Sequence, residues 1–136
     1  MIAKVHIVSF FIVVTLFQST LWAQSKPASI KLEIIAKLPE EVDGCSACFA
    51  MDNASLKSEK FIAVTNLTDV CFIRIGGKLL KLKEKQEDIY EGEGYTVTIK
   101  TKSKHIADEL YSERGTIEIH HGNVTKKIAV VGESGC

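Results

Sequence analysis

Val70-Cys71-Phe72-Ile73-Arg74-Ile75-Gly76-Gly77-Lys78-Leu79-Leu80-Lys81-Leu82-Lys83-Glu84-Lys85 reads as a β-hairpin. Its first limb, Val70–Ile75, is made almost wholly of β-branched and other apolar residues that favour a pleated, buried strand. Gly76 and Gly77 both tolerate positive φ, as the tight turns that match strand twist require. The second limb sets Leu80 and Leu82 on one face and Lys81, Lys83 and Lys85 on the other. That period of two is the mark of a strand with one side buried.

The same pattern extends in both directions. Upstream, Ser29–Leu38 places Ile30, Leu32 and Ile34 on one face and stops at Pro39 and the acidic run to Gly44. Cys45–Met51 is a short apolar run, and Lys60–Thr65 reaches Val70 through the turn-forming Asn66-Leu67-Thr68-Asp69. Downstream, Gln86–Gly94 reads as an acidic loop around Tyr90. Tyr95–Lys104 and Thr116–His120 alternate again, and Gly122-Asn123 turns the chain into Val124–Val131. Ile106–Ser112 is the one stretch that reads as a helical turn. Seven or eight short strands at this spacing predict an all-β fold, a small antiparallel sandwich or barrel.

Residues 1–23 read as a secretory signal peptide, with cleavage after Ala23 or alternatively after Ser25. Its apolar run from Val5 to Phe17 falls short of the roughly 20 residues a membrane span needs. Residues 24–136 then form a single β-rich domain, secreted or periplasmic, with no membrane span. The chain holds 17 basic and 17 acidic residues; loss of Lys4 with the signal leaves 16 against 17. This balance lacks the basic excess of nucleic-acid binders. Loss of Trp22 also removes the only Trp, leaving few aromatics for a stacking platform.

All four cysteines, Cys45, Cys48, Cys71 and Cys136, follow the signal. An even number in a small exported domain predicts a disulfide framework. Three connectivities exist, and spacing alone does not choose among them. A Cys45–Cys48 bond closes a tiny ring and constrains little. Cys45–Cys136 closes a long loop, worth about 4–5 kcal/mol through the unfolded state, and leaves Cys48 to pair with Cys71. That pairing is the physically preferred expectation. Cys45-Ser46-Ala47-Cys48 also has the spacing of a thiol–disulfide enzyme. In such enzymes the motif caps a helix, but Phe49–Asn53 does not begin an amphipathic one, and Pro27 and Pro39 both lie upstream. Phe49 stands where covalent haem attachment needs His. A zinc site from the thiols and His120 or His121 competes with an oxidising compartment, so no metal and no cofactor is expected.

Every asparagine, Asn53, Asn66 and Asn123, heads a glycosylation sequon. Asn in exposed turns also serves its own backbone, which is the alternative reading. His120 and His121 are neighbours in a strand, so they point to opposite faces. Lysines 81, 83 and 85 and lysines 100, 102 and 104 make two basic strand faces, which suit an anionic partner if shared and a solvated exterior if not. Glu87, Asp88, Tyr90 and Glu91 form the candidate binding loop, since recognition concentrates at strand connections.

The Gly44-Cys45-Ser46 entry, the Phe72–Lys78 segment and the Gly132–Cys136 end resemble small uncharacterised exported proteins of Bacteroidetes-type bacteria, a family that brings no activity with it. More loosely, Val70–Ile99 resembles the inhibitors of C-type lysozyme, which are small disulfide-tied β-barrels. Their inhibitory loop carries a Ser-Gly-x-Arg-Tyr-like motif; Glu87-Asp88-Ile89-Tyr90-Glu91 has neither the Ser nor the Arg. The resemblance therefore implies a barrel layout and transfers no residue roles. The function expected is a non-catalytic binding module for a protein or envelope component. The alternatives are a thiol–disulfide oxidoreductase and a purely structural domain.

Overall fold

Strand pairing in the computed structural model, which describes residues 29–136, is antiparallel throughout and runs in a ring. The signal peptide read over residues 1–23 lies outside the described residues. In chain order the elements are β1 (Leu32–Glu33), a 3-10 turn (Glu40–Val42), β2 (Ser46–Ala50), α1 (Asn53–Lys57), β3 (Ala63–Thr65), β4 (Val70–Ile75) and β5 (Lys78–Gln86). They continue with β6 (Ile89–Gly92), β7 (Tyr95–Ala107), β8 (Leu110–His121) and β9 (Val124–Gly135). Strands β2 to β9 close an eight-stranded barrel: β4 pairs with β3 and β5, and β9 pairs with β8 and β2. β1 is a ninth, added to the edge of β4 beyond the end of β3.

Five successive two-residue turns connect β4 to β9. They are Gly76-Gly77, Glu87-Asp88, Glu93-Gly94, Asp108-Glu109 and Gly122-Asn123. Gly76 and Gly77 have φ of 59° and 77°, the left-handed pair that a type I′ turn needs. Asp88, Glu93 and Asp108 take positive φ without being glycine. Asp visits this region more readily than most residues, so the turns at Asp88 and Asp108 form without the glycine that marks a hairpin in the sequence. Gln86–Gly94, expected to be a loop, is thus a strand between two tight turns. Ile106–Ser112, expected to be a helical turn, is the tip of the β7–β8 hairpin.

Alternation fills the barrel. Ala47 and Phe49 from β2, Cys71 and Ile73 from β4, Leu80 and Leu82 from β5 and Tyr90 from β6 point inward. Val97 and Ile99, Ile117 and Ile119, and Ile128 and Val130 complete the core from β7, β8 and β9. Ile99, Ile117 and Ile128 form a continuous row across the three strands. A barrel of this size is filled by side chains, each fully buried Ile, Leu or Val contributing about 1.5–3 kcal/mol.

A second, smaller cluster sits outside the wall. The chain crosses from interior to exterior between Ile30, 5% exposed, and Ile35, 3% exposed, leaving Ile34 in solvent. This is why the long Ser29–Leu38 strand shrinks to two paired residues. Ile35 and Val42 then lie over the outward side chains of Val64, Val70 and Phe72. The Ile35 amide donates to the Phe61 carbonyl at 2.8 Å and fixes that strap. Beyond β2 the chain does form a helix. The Asp52 carboxylate accepts from the Ser55 amide at 2.7 Å and caps α1.

Candidate functional site

Cys45 and Cys136 are joined by a disulfide that spans 91 residues. They stand one position beyond the last rung of the β2–β9 ladder, Ser46 opposite Gly135, so the bond seals that seam. The expected Cys48–Cys71 partner bond does not form; both are free thiols. Register gives the reason. Cys48 pairs with Val64, which pairs with Phe72, so all three project to the outer face. Cys71, one residue from Phe72, projects into the barrel. The sheet itself separates the two sulfurs.

Both free thiols have raised pKa values. Burial pushes Cys71 up to about 12. Cys48 is raised as well, first by burial and then by the negative charges of Glu133 and Glu59, against a lowering hydrogen bond from Ser46. Reactive cysteines have the reverse setting, with a lowered pKa near positive charge. Cys48 lies in an open groove of about 920 Å³ beside the disulfide, bordered by Glu59, Glu109 and Glu133.

The candidate binding loop disperses. Tyr90 is 7% exposed and belongs to the barrel core, with its hydroxyl pKa pushed up by burial. Glu91 is tied to Lys85 at 3.1 Å. Glu87 and Asp88 form a two-residue turn too short to act as a loop. The sequons divide too. Asn53 and Asn123 are exposed, on α1 and at a hairpin tip. Asn66 is half-buried: its carbonyl oxygen accepts from the amides of Thr68, Asp69 and Val70, and its nitrogen donates to Asp69 at 3.0 Å. His120 bonds Glu118 at 2.6 Å, and His121 stacks on Tyr95. The two rings leave opposite faces, as their adjacency predicts.

A buried polar cluster has no signature in the sequence. Glu113 on β8 is 7% exposed. Its carboxylate accepts from the Ser103 hydroxyl at 2.6 and 2.7 Å and from the Ser134 hydroxyl at 2.6 Å. The three strands β7, β8 and β9 are thereby tied at the disulfide end of the barrel. Only the register brings these residues together.

The two basic faces have different fates. On β5, Lys78 pairs with Glu93 at 2.9 Å, Lys81 with Glu41 at 2.6 Å and Lys85 with Glu91 at 3.1 Å, while Lys83 has no ion-pair partner among the described residues. On the outer face of β7–β9, Lys100, Lys102, Lys104 and Arg114 have no ion-pair partner among the described residues. Residues 1–28 contain no Asp or Glu that could supply one. Lys102 stands directly opposite Arg114 across the ladder, and Arg114 opposite Val131. Arg114 joins the lysine face only through register, so nothing in its sequence neighbourhood marks it. The bounding acids include Glu118, held by His120, Glu133 on β9, and Asp88 in the turn before β6.

No protein-family model, curated protein or solved structure matches this chain. Function is therefore inferred from the fold and its surface geometry.

Proposed function

We propose that this protein is a non-catalytic binding module that works outside the cytoplasm, in a secreted or periplasmic setting, and engages a protein or envelope component through the outer face of β7–β9. The observation that carries this reading is Lys102 set against Arg114, neither with an ion-pair partner among the described residues. Like charges directly opposed across strands destabilise a sheet. A surface that keeps such a pair, while three of the four lysines of β5 each meet a carboxylate, is arranged for an external anion. The Cys45–Cys136 bond supports the oxidising setting, and no described helix is long and apolar enough to cross a membrane. The thiol–disulfide alternative gains no support from a C-x-x-C whose first sulfur is bonded elsewhere and whose second is raised in pKa. Retention of a partner from the native extracellular or periplasmic fraction tests the proposal. Saturable capture is expected for the natural protein and its loss for the Lys102→Glu, Arg114→Glu double variant; equal capture by both defeats it.

A further inference from the structure

We infer that the ligand of this face is an acidic protein segment that carries an apolar side chain, an inference that rests on the binding-module reading above. The face is more than a lysine row. A shallow groove of about 710 Å³ opens along it, bordered by Lys100, Lys102 and Arg114 and lined on its apolar side by Met51 and Val131. Met51 is 60% exposed, the most exposed large hydrophobic residue among the described residues. Gly115 lines the groove with bare backbone, and β7 and β8 approach so closely there that a Cβ would lie 1.8 Å from the Lys100 carbonyl oxygen. Cations beside an uncovered Met and Val make a site with two chemistries, and Arg and Met are among the residues enriched at protein interfaces.

Other anions use less of it. The groove is lined by no Phe, Tyr or Trp, so a nucleobase meets no aromatic platform there. An anionic bilayer would meet the Asp108-Glu109 turn at the end of the same hairpin. A uniform polyanion would leave Met51 and Val131 uncovered and would meet Asp88, which also lines the groove. A protein segment with spaced carboxylates and one apolar residue satisfies the cations, avoids Asp88 and covers Met51.

Fluorescence anisotropy on the disulfide-bonded protein tests this. The probe is a labelled peptide of Glu interspersed with Leu, compared with an all-Glu peptide of equal charge, a polyuronate and phosphatidylglycerol vesicles. The mixed peptide is expected to bind best, and to lose about tenfold in affinity with Arg114→Glu and severalfold with Met51→Ser. Lys81→Glu on β5 is expected to change nothing. Equal or tighter binding of the all-Glu peptide, the polyuronate or the vesicles overturns the inference, as does indifference to Met51→Ser. Self-association of the protein abolished by Arg114→Glu assigns the face to a second copy and also overturns it. Failure of every probe, with charge-dependent capture from the native fraction intact, overturns the inference and leaves the binding module standing. Failure of both removes both.

Discussion

Cys45 and Cys136 lie across one seam of the barrel with their Cα atoms 4.0 Å apart, one position beyond the Ser46–Gly135 rung. The bond therefore holds the point where the last strand returns to the first strand of the ring. Without it, β9 would be joined to β2 by five rungs alone, Ser46 to Ala50 against Val131 to Gly135. Cys45→Ser with Cys136→Ser should lower stability by about 4 kcal/mol, in line with the long loop the bond closes. Chemical denaturation with and without reductant measures this, and a non-reducing peptide map should show the single link, with the buried Cys71 alkylated only after unfolding and the half-buried Cys48 alkylated slowly in the folded protein.

Cys71 makes stability fall in alkali. Its thiol ionises near 9.0 when unfolded and is pushed up to about 12 in the barrel. Below 9.0 both states are neutral and the group has no effect. Between those values the unfolded chain loses its proton and the folded chain keeps it, so stability drops by about 1.4 kcal/mol per pH unit. Tyr90, also raised by burial, extends the decline to higher pH. Denaturant midpoints across this window should show the slope. Cys71→Ala should lower the whole curve and remove the first part of the decline.

Glu113 is tolerated because two serines face it. Ser103→Ala with Ser134→Ala leaves a buried carboxylate without either hydroxyl and should cost about 2–4 kcal/mol. Adding Glu113→Leu to that background should recover part of the loss, since an apolar side chain makes no demand for donors. A thermodynamic cycle from urea melts checks the coupling; simple additivity would show that the three do not act as a unit.

The three sequons should not be used alike. Passage through a eukaryotic secretory pathway is expected to place glycans at Asn53 and Asn123 and to leave Asn66 bare. The Asn66 side chain already serves four hydrogen bonds in the turn before β4. Peptide mass spectrometry of the expressed protein reports each occupancy. Asn66→Ala should cost about 1–2 kcal/mol for the lost turn bonds, while Asn123→Ala should be nearly neutral.

Much of the barrel is legible in the residues alone. Val70–Ile75, Gly76-Gly77 and the alternation of Leu80 and Leu82 with lysines specify a hairpin locally, because a strand's period and a turn's φ angles depend on few neighbours. Composition misleads elsewhere. Glu87, Asp88 and Glu91 look like a solvated loop, yet Asp88 adopts the left-handed turn and Ile89 and Tyr90 form a strand. Asn53–Lys57 is too short to show an amphipathic period, and its cap from Asp52 shows only in the folded chain.

The sequence by itself determined an all-β chain, its main hairpins and the supply of cysteines, since these follow from alternation, turn chemistry and counting. Only the tertiary structure decided the pairings across distance. It set Cys45 against Cys136 and divided Cys48 from Cys71 by the thickness of a sheet. It brought Ser103 and Ser134 to Glu113 and placed Arg114 opposite Lys102. Register is the physical reason: a shift of one residue in any ladder would exchange inside for outside, and the closure of eight strands around one core permits a single answer.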